Sequence, residues 1–160
     1  MGVVSSPYVG GMPAFTGPEI AVGVTAPALI ATVVHAFLQP GDVVVQTTPT
    51  YGLYATTSAA AGATVVEVPN RDFRHDVDAL ATAAREHEAR LVWLCDPNNP
   101  TGALVTREEW ERLLSGIPDR CTVVVDEAYV EYVDPKVRLD RVRDVEAGLP
   151  VVVMRTFSKI

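Results

Sequence analysis

The chain has 160 residues, of which 48% are hydrophobic and 21% charged, a composition typical of one ordinary globular domain. Its net charge of −7 argues against a general nucleic-acid binder, because such a protein needs a basic face to pair with phosphates. The two cysteines, Cys95 and Cys121, lie in or beside apolar runs and are predicted to be buried free thiols, and the histidines do not cluster at metal-ligand spacing, so no metal site is predicted.

The first forty residues contain an irregular segment followed by an apolar one. Residues 1–22 are rich in Gly, Pro and Ser and are predicted to be an irregular N-terminal arm. The uncharged stretch 20–41 is nearly long enough to span a membrane, but it holds several polar residues and lacks flanking basic ones, so a buried helix of a soluble domain is predicted, with Pro27 in its first turn. No basic segment of a secretory signal is recognised, and the expected location is the cytoplasm.

Strands and helices alternate through the rest of the chain. Strands are predicted at 43–45, 64–68, 91–95, 122–125 and 151–154, and helices at 28–38, 51–61, 77–88 and 106–115. Gly62 is expected to end the second helix, and Thr106 and Glu109 form a capping box at the start of the last. This alternation predicts an α/β fold of three layers, with a mostly parallel sheet covered by helices on both faces.

Polar residues follow three of the predicted strands, at the sheet edge where open α/β sheets bind ligands. Asp126 ends an apolar run, and the 96–102 loop is a rigid turn that carries two asparagine amides. The polar residues after the last predicted strand include Lys159, which is one of only two lysines in a chain with eleven arginines. Arginine cannot replace a lysine that must lose its proton and attack a carbonyl group, so Lys159 is a candidate nucleophile, although a solvated lysine near the chain end would look the same.

Two nucleotide-binding classes are excluded by missing motifs. The run from Val123 to Glu127 is similar to the magnesium-binding segment of phosphate-loop ATPases, but the chain has no Gly-x-x-x-x-Gly-Lys-Ser/Thr loop. The Gly-x-Gly-x-x-Gly fingerprint of dinucleotide-binding proteins is absent as well.

Five stretches together resemble the class I/II aminotransferases of the fold-type I family dependent on pyridoxal 5′-phosphate (PLP), and among these most closely the histidinol-phosphate aminotransferases. The resemblance runs from about residue 22 to the end of the chain. The stretches occur in the family's order: Leu38-Gln39-Pro40-Gly41-Asp42, Pro49-Thr50-Tyr51-Gly52-Leu53-Tyr54, Asn98-Asn99-Pro100-Thr101-Gly102, Val125-Asp126-Glu127-Ala128-Tyr129 and Arg155-Thr156-Phe157-Ser158-Lys159.

The resemblance implies a role for each residue that would meet the reactive part of PLP. Lys159 would form an imine with the cofactor and, once displaced by substrate, move a proton between the substrate and the cofactor. Asp126 would pair with the pyridine nitrogen and keep it protonated. Asn99 and Tyr129 would donate hydrogen bonds to the phenolic oxygen, and Tyr51 would stack on the ring.

The phosphate group of PLP is the second part of the implied site. Thr156 and Ser158 would offer hydroxyls to it, and so would backbone N–H groups at a helix start around Thr25 and Ala26. Close relatives carry a Gly-Ser-Asp type segment there, whereas this chain has residues 24–27, with the sequence Val-Thr-Ala-Pro, which implies a weaker hold on the phosphate.

The implied function is transfer of an amino group from an amino acid or similar amine to a 2-oxo acid, by a full-length homodimer. Relatives continue well beyond Lys159 with another phosphate-binding arginine and a small C-terminal domain. Residues 23–160 are therefore expected to be part of a PLP-binding large domain, and the isolated chain is expected to bind PLP weakly and to be nearly inactive. The alternatives are a PLP-dependent lyase or decarboxylase on the same fold, and a non-catalytic truncated remnant.

Overall fold

A computed structural model describes residues 2–5, 20–23 and 25–159 of the chain. Within these ranges, strands and helices alternate as the sequence predicts. The strands are β1 (Gly2–Ser5), β2 (Ile20–Gly23), β3 (Val43–Thr48), β4 (Thr64–Pro69), β5 (Leu91–Cys95), β6 (Thr122–Asp126) and β7 (Val151–Thr156). The helices are α1 (Ala26–Phe37), α2 (Leu53–Ala60), α3 (Val77–Glu86), α4 (Arg107–Gly116) and α5 (Val142–Glu146), with a 3₁₀ turn at Val130–Tyr132.

The strands form one sheet in the order β2-β1-β7-β6-β5-β3-β4. All neighbours from β7 to β4 pair in parallel, while β1 pairs antiparallel with both β7 and β2. The predicted α/β fold with a mostly parallel sheet is therefore confirmed, and the C-terminal strand lies inside the sheet between β6 and β1.

The two short strands near the N-terminus differ from the irregular arm predicted over residues 1–22. Gly2–Ser5 and Ile20–Gly23 are extended because β7 offers an unpaired edge, where β1 satisfies its backbone N–H and C=O groups and then pairs with β2. The remainder of the predicted arm, residues 6–19, lies outside the described residues. The uncharged stretch 20–41 is divided between β2 and the twelve residues of α1. No helix within the described ranges is long and apolar enough to cross a membrane.

Capping interactions set the starts and ends of the helices. Helix α1 begins two residues before the predicted start because Thr25 caps it, its Oγ1 accepting the Ala28 N–H at 3.2 Å. Gly62 has φ +85°, which follows from its position just after α2 and confirms the predicted stop. The capping box of α4 is confirmed: Thr106 Oγ1 accepts from Glu109 N at 3.2 Å, and Thr106 N donates to Glu109 Oε2 at 2.7 Å.

Helices cover both faces of the sheet, which completes the three predicted layers. Alternate residues of β5 enter two separate cores: Leu91 and Trp93 face α1 and α2, while Val92 and Leu94 face α3, α4 and α5. Strand β5 is consequently buried along its whole length. This burial explains why the central strands are mainly apolar runs and why their charged side chains occur at or just after the carboxyl ends.

Candidate functional site

The carboxyl ends of β5, β6 and β7 lie side by side and open onto a cavity of about 280 Å³. The register places Cys95 beside Asp126, and Asp126 beside Met154. All nine residues singled out from the sequence line this cavity, together with four others that the sequence analysis gave no role. The lining consists of Thr25, Ala26, Pro27, Tyr51, Tyr54, Cys95, Asn99, Asp126, Ala128, Tyr129, Thr156, Ser158 and Lys159.

Asp126 is a buried carboxylate at the floor of the cavity, with 5% of its surface exposed. Its Oδ2 accepts a hydrogen bond from Tyr54 Oη at 2.7 Å, and its Oδ1 accepts one from Ala128 N at 3.1 Å. Burial raises the pKa of Asp126 above its ordinary value, while these two hydrogen bonds favour the ionised form and oppose the rise. The hydrogen bonds therefore fix the orientation of the carboxylate and help keep it charged.

Tyr54 is a site residue that the sequence analysis missed. It is fully buried and stacks on Trp93, with ring centroids 4.8 Å apart and an angle of 8° between the planes. Burial, followed by the charge of Asp126, raises the pKa of Tyr54 well above its ordinary value, so the phenol stays a hydrogen-bond donor. One signal was available: Tyr54 stands three residues after Tyr51, in a stretch shared with the family, but its own partner lies far away in the sequence.

Tyr51 and Tyr54 meet edge to face at the start of α2. Their ring centroids are 5.4 Å apart and their planes make an angle of 80°. Both side chains line the cavity, but Tyr51 is only half-buried whereas Tyr54 is fully buried. The cavity thus has an aromatic side chain available to contact a planar ligand.

The two adjacent asparagines of the 96–102 loop have different roles. Asn98 is buried, and its amide is used inside the protein: Nδ2 donates to Pro49 O and to Thr101 Oγ1, while Oδ1 accepts from Thr50 Oγ1 at 2.8 Å. Asn99 is half-buried and lines the cavity. Asn99 is therefore the asparagine whose amide is available to a ligand.

Lys159 and Tyr129 approach each other at the rim of the cavity. The Lys159 Nζ lies 5.6 Å from the centroid of the Tyr129 ring, and Tyr132 Oη donates to the Lys159 carbonyl oxygen. Both Lys159 and Ser158 are exposed. The carbonyl contact fixes the backbone at Lys159 while its amine remains accessible.

Hydroxyl groups and a helix start supply the polar part of the lining. Thr156 Oγ1 and Ser158 Oγ lie 2.8 Å apart, and Ser158 N donates to Thr156 Oγ1 at 3.1 Å. Thr25 and Ala26 stand at the N-terminus of α1, where the helix dipole favours an anion. Pro27 has no N–H to offer, and the N–H of Ala28 already bonds to the Thr25 hydroxyl.

Cys95 also lines the cavity but is not a reactive group. Burial, together with the charge of Asp126, raises the pKa of its thiol to about 12, so the thiol stays protonated at neutral pH. Within the described ranges there is no group of three or more His, Cys, Asp or Glu residues that could hold a metal ion. The chemistry of the cavity therefore rests on one amine, one buried carboxylate, tyrosine and asparagine side chains, and hydroxyls.

Comparison with known proteins agrees with this arrangement. The family model for aminotransferase class I and II matches residues 13–160. Histidinol-phosphate aminotransferase 2 of Hydrogenovibrio crunogenus is 38% identical over 141 residues, which are 88% of this chain and 38% of that protein. An aromatic amino acid aminotransferase of Mycobacterium sp. (strain KMS) is 40% identical over 153 residues, 93% of this chain and 41% of that protein.

Solved structures show the same fold. The crystal structure of histidinol-phosphate aminotransferase from Sinorhizobium meliloti, in complex with pyridoxal-5′-phosphate, superposes with a TM-score of 0.76 at 30% identity, covering 82% of this chain and 35% of that one. The chain spans about two fifths of the length of the curated relatives it matches. The family model covers more than nine tenths of the chain, and the chain therefore belongs to the class I and II aminotransferase family.

Proposed function

We propose that this chain forms the cofactor-binding part of a PLP-dependent aminotransferase, which transfers an amino group between an amino acid or similar amine and a 2-oxo acid. The observation that carries the proposal is that Lys159 and Asp126 line one cavity together with Asn99, Tyr129 and Tyr51. In the whole protein, residues 23–160 would belong to the large domain, and the active form would be a homodimer in the cytoplasm, as the family resemblance implies.

The residues that line the cavity fit PLP, because the pyridine nitrogen and the aldehyde of PLP each find a chemically complementary side chain among them. A pyridine nitrogen that must stay protonated needs a buried carboxylate, and Asp126 is one. An aldehyde needs a primary amine, and Lys159 is the only lysine among the described lining residues. The bound cofactor would supply an electron sink for the bonding electrons released at the substrate α-carbon.

The chain's own residues would then perform five tasks. Asp126 would hold the proton on the ring nitrogen, and Tyr54 would keep that carboxylate oriented. Asn99 and Tyr129 would donate hydrogen bonds to the phenolic oxygen, and Tyr51 would stack on the ring face. The free amine of Lys159 would carry the proton from the α-carbon of the substrate to the carbon that receives the amino group.

The phosphate would be held less firmly than the ring. Thr25, Ala26, Thr156 and Ser158 offer hydroxyls and a helix dipole, but no arginine is found among the described lining residues. One charge-assisted hydrogen bond contributes about 1.5–3 kcal/mol, which corresponds to roughly ten- to a hundredfold in affinity. We therefore propose that the 160-residue chain by itself binds PLP weakly and transfers amino groups slowly at most.

The experiment that tests the proposal is a spectroscopic titration of the purified chain with PLP. A coloured imine band is expected for the unaltered chain and for Lys136→Ala, which removes the other lysine, and it should be lost in Lys159→Ala. An imine that persists in Lys159→Ala would contradict the assignment of the amine.

A second measurement distinguishes a transaminase from a PLP-dependent lyase or decarboxylase. A longer protein that contains this chain is incubated with an amine, in the presence and absence of a 2-oxo acid. Catalytic turnover is expected only when the 2-oxo acid is present. Turnover without it would favour the lyase or decarboxylase, and an imine band without any turnover would favour a non-catalytic remnant. Comparing a phosphorylated imidazole amine with an aromatic amino acid as donors would then define the substrate.

A further inference from the structure

A network of four charged residues, three of them buried, lies behind the candidate site, and none of the four lines its cavity. Its centre is Arg141, which precedes α5 and is 2% exposed. The Arg141 Nη1 donates to Glu127 Oε1 at 3.1 Å, and its Nη2 donates to Asp96 Oδ2. The guanidinium also lies over the Trp110 ring, 4.7 Å from the ring centroid. Arg141 lines neither the 280 Å³ cavity nor the adjacent groove that shares Asn99 and Tyr129 with it.

The network connects the three strand ends that carry the site. Glu127, fully buried just after β6, uses its second oxygen to accept from Arg155 of β7, at 2.8 Å from Nη2 and 2.9 Å from Nε. Asp96, just after β5, uses its second oxygen to accept from Val105 N at 3.0 Å, which closes the loop that contains Asn99. Each charged residue at these strand ends is therefore within four positions of a residue expected to contact the cofactor.

Backbone hydrogen bonds join the same three ends. The Asp96 N–H donates to Asp126 O at 3.0 Å, and the Glu127 N–H donates to Met154 O at 2.8 Å. These bonds fix where the strands stop, and Asn98 ties the 97–104 loop to Pro49 and Thr50. The Arg141 guanidinium adds a fixed direction at the start of this loop, because its planar fork binds Asp96, just before the loop, and Glu127, just after β6, at the same time.

The composition of the network favours a geometric role over a simple stabilising one. Two arginines offset two carboxylates, so the four charges sum to zero. Burial raises the pKa of Glu127, and Arg141 and Arg155 oppose the rise. Buried ion pairs can often be replaced by apolar residues without loss of stability, so a buried pair is weak evidence of stabilisation, whereas a bidentate contact fixes direction.

We propose that Arg141 is a positioning residue: by clamping Asp96 to Glu127, it holds the 97–104 loop so that the Asn99 amide stands beside Tyr129 in the cofactor cavity. The inference rests on the proposed function, because Asn99 acts on the cofactor only there. It assigns Arg141 a function through Asn99, with no contact to cofactor or substrate.

The test is a double-mutant cycle on PLP binding by the whole chain. Arg141→Lys keeps the charge but replaces the rigid planar fork with a single ammonium nitrogen on a flexible stem, and we expect it to weaken PLP binding about tenfold and to shift the pH at which the imine band titrates. In combination with Asn99→Ala, it should add less than twofold to the effect of Asn99→Ala alone. Arg143→Lys is the matched control, since Arg143 is an exposed arginine paired with Asp140, and it should change nothing. Independent, multiplicative effects of the two substitutions would overturn the proposal.

Hydrogen exchange of the cofactor-free chain supplies a readout that does not depend on PLP. The Gly102 amide donates to Asn98 O within the loop, and the Val105 amide donates to Asp96 Oδ1 across its two ends. Arg141→Lys should speed the exchange of both amides tenfold or more while leaving amides of β3 unchanged. Asp96→Asn keeps an acceptor for Val105 but loses the charge that holds Arg141, and it should act in the same direction if Arg141→Lys does not fold. Unchanged loop exchange in both variants would contradict the clamp. Absence of a Lys159-dependent imine in the longer protein that contains this chain would instead show that the proposed function is wrong.

Discussion

At the scale of single residues, the central feature is a carboxylate held in place by a phenol. Asp126 is buried, and within the described ranges it has no hydrogen-bonded cation, so its ionised form depends on Tyr54 Oη and the Ala128 N–H. The groups near it from the packed elements are Tyr54 of α2 and Cys95 of β5, both neutral at ordinary pH because burial raises their pKa values. Lys159 lines the same cavity from the end of β7. Tyr54 is therefore the side chain that most directly controls the charge of Asp126.

Replacing Tyr54 with phenylalanine should raise the pKa of Asp126 further above its ordinary value of 3.8. The raised pKa means that the folded state binds this proton more tightly than the unfolded state, so stability falls as pH rises from the unfolded pKa to the folded one. Since the lost hydrogen bond stabilises the carboxylate more than the neutral acid, Tyr54→Phe should cost less below pH 3.8 than near neutral pH, where we expect a loss of about 1.5–3 kcal/mol. The pKa can be followed by NMR of the labelled aspartate carboxyl carbons, and the stability by urea unfolding across pH.

Tyr51→Phe is the matched control for that prediction. It removes a hydroxyl from the neighbouring ring of the edge-to-face pair, but the ring touching Asp126 is unchanged. The titration of Asp126 should therefore stay the same. An equal shift in both variants, or in neither, would contradict the role assigned to Tyr54.

At the scale of elements, local sequence signals explain where the helices begin. Helix α4 is the clearest case, because both hydrogen bonds of its capping box are formed. Thr106→Ala removes the acceptor for Glu109 N, and we expect a loss of about 1 kcal/mol in the free energy of unfolding, measured by urea denaturation. Thr82→Ala, an exposed threonine within α3, is the control and should leave stability unchanged or slightly higher, because alanine has the greater helix propensity. Equal losses in the two variants would show that the cap contributes nothing.

The local sequence predicted the strands less completely than it predicted the starts of the helices. The five parallel strands are predicted by apolar runs between turns, and their ends extend outward by as much as three residues because neighbouring strands continue the ladder. Strands β1 and β2 were not predicted, since four residues carry too weak a periodic signal. They are extended because β7 provides an edge to pair with.

At the scale of the whole molecule, β1 protects the edge of the strand that leads to Lys159. Deleting residues 1–5 should leave β7 with unpaired backbone groups along Val153–Thr156, the positions that β1 covers. We expect faster hydrogen exchange in β7 and concentration-dependent self-association by sedimentation velocity, because exposed edge strands pair with other chains. Exchange in β4, at the opposite edge, serves as the internal reference. Unaltered exchange in β7 with a monomeric deletion variant would contradict the pairing.

The sequence alone determined the layers of the fold and the main residues of the candidate site. Apolar runs alternating with amphipathic segments specify a parallel sheet, and in such a sheet the first polar residues after each strand must gather at one edge. The position after each strand makes Asp126, Lys159 and the 96–102 loop candidates, and the family resemblance adds the choice of Asn99 within that loop; Asp126, Asn99 and Lys159 all line one cavity. Their individual roles remain predictions.

Only the tertiary structure decided which buried polar groups serve these residues. Tyr54 and Asp126 are 72 positions apart, and Arg141 and Asp96 are 45 apart, so no local pattern could indicate either contact. The structure also separated Asn98, whose amide is used within the protein, from Asn99, which faces the cavity. The physical reason is that periodicity and capping act within a few residues of chain, whereas a buried polar group takes as its partner whichever complementary group the packed fold brings within hydrogen-bonding distance.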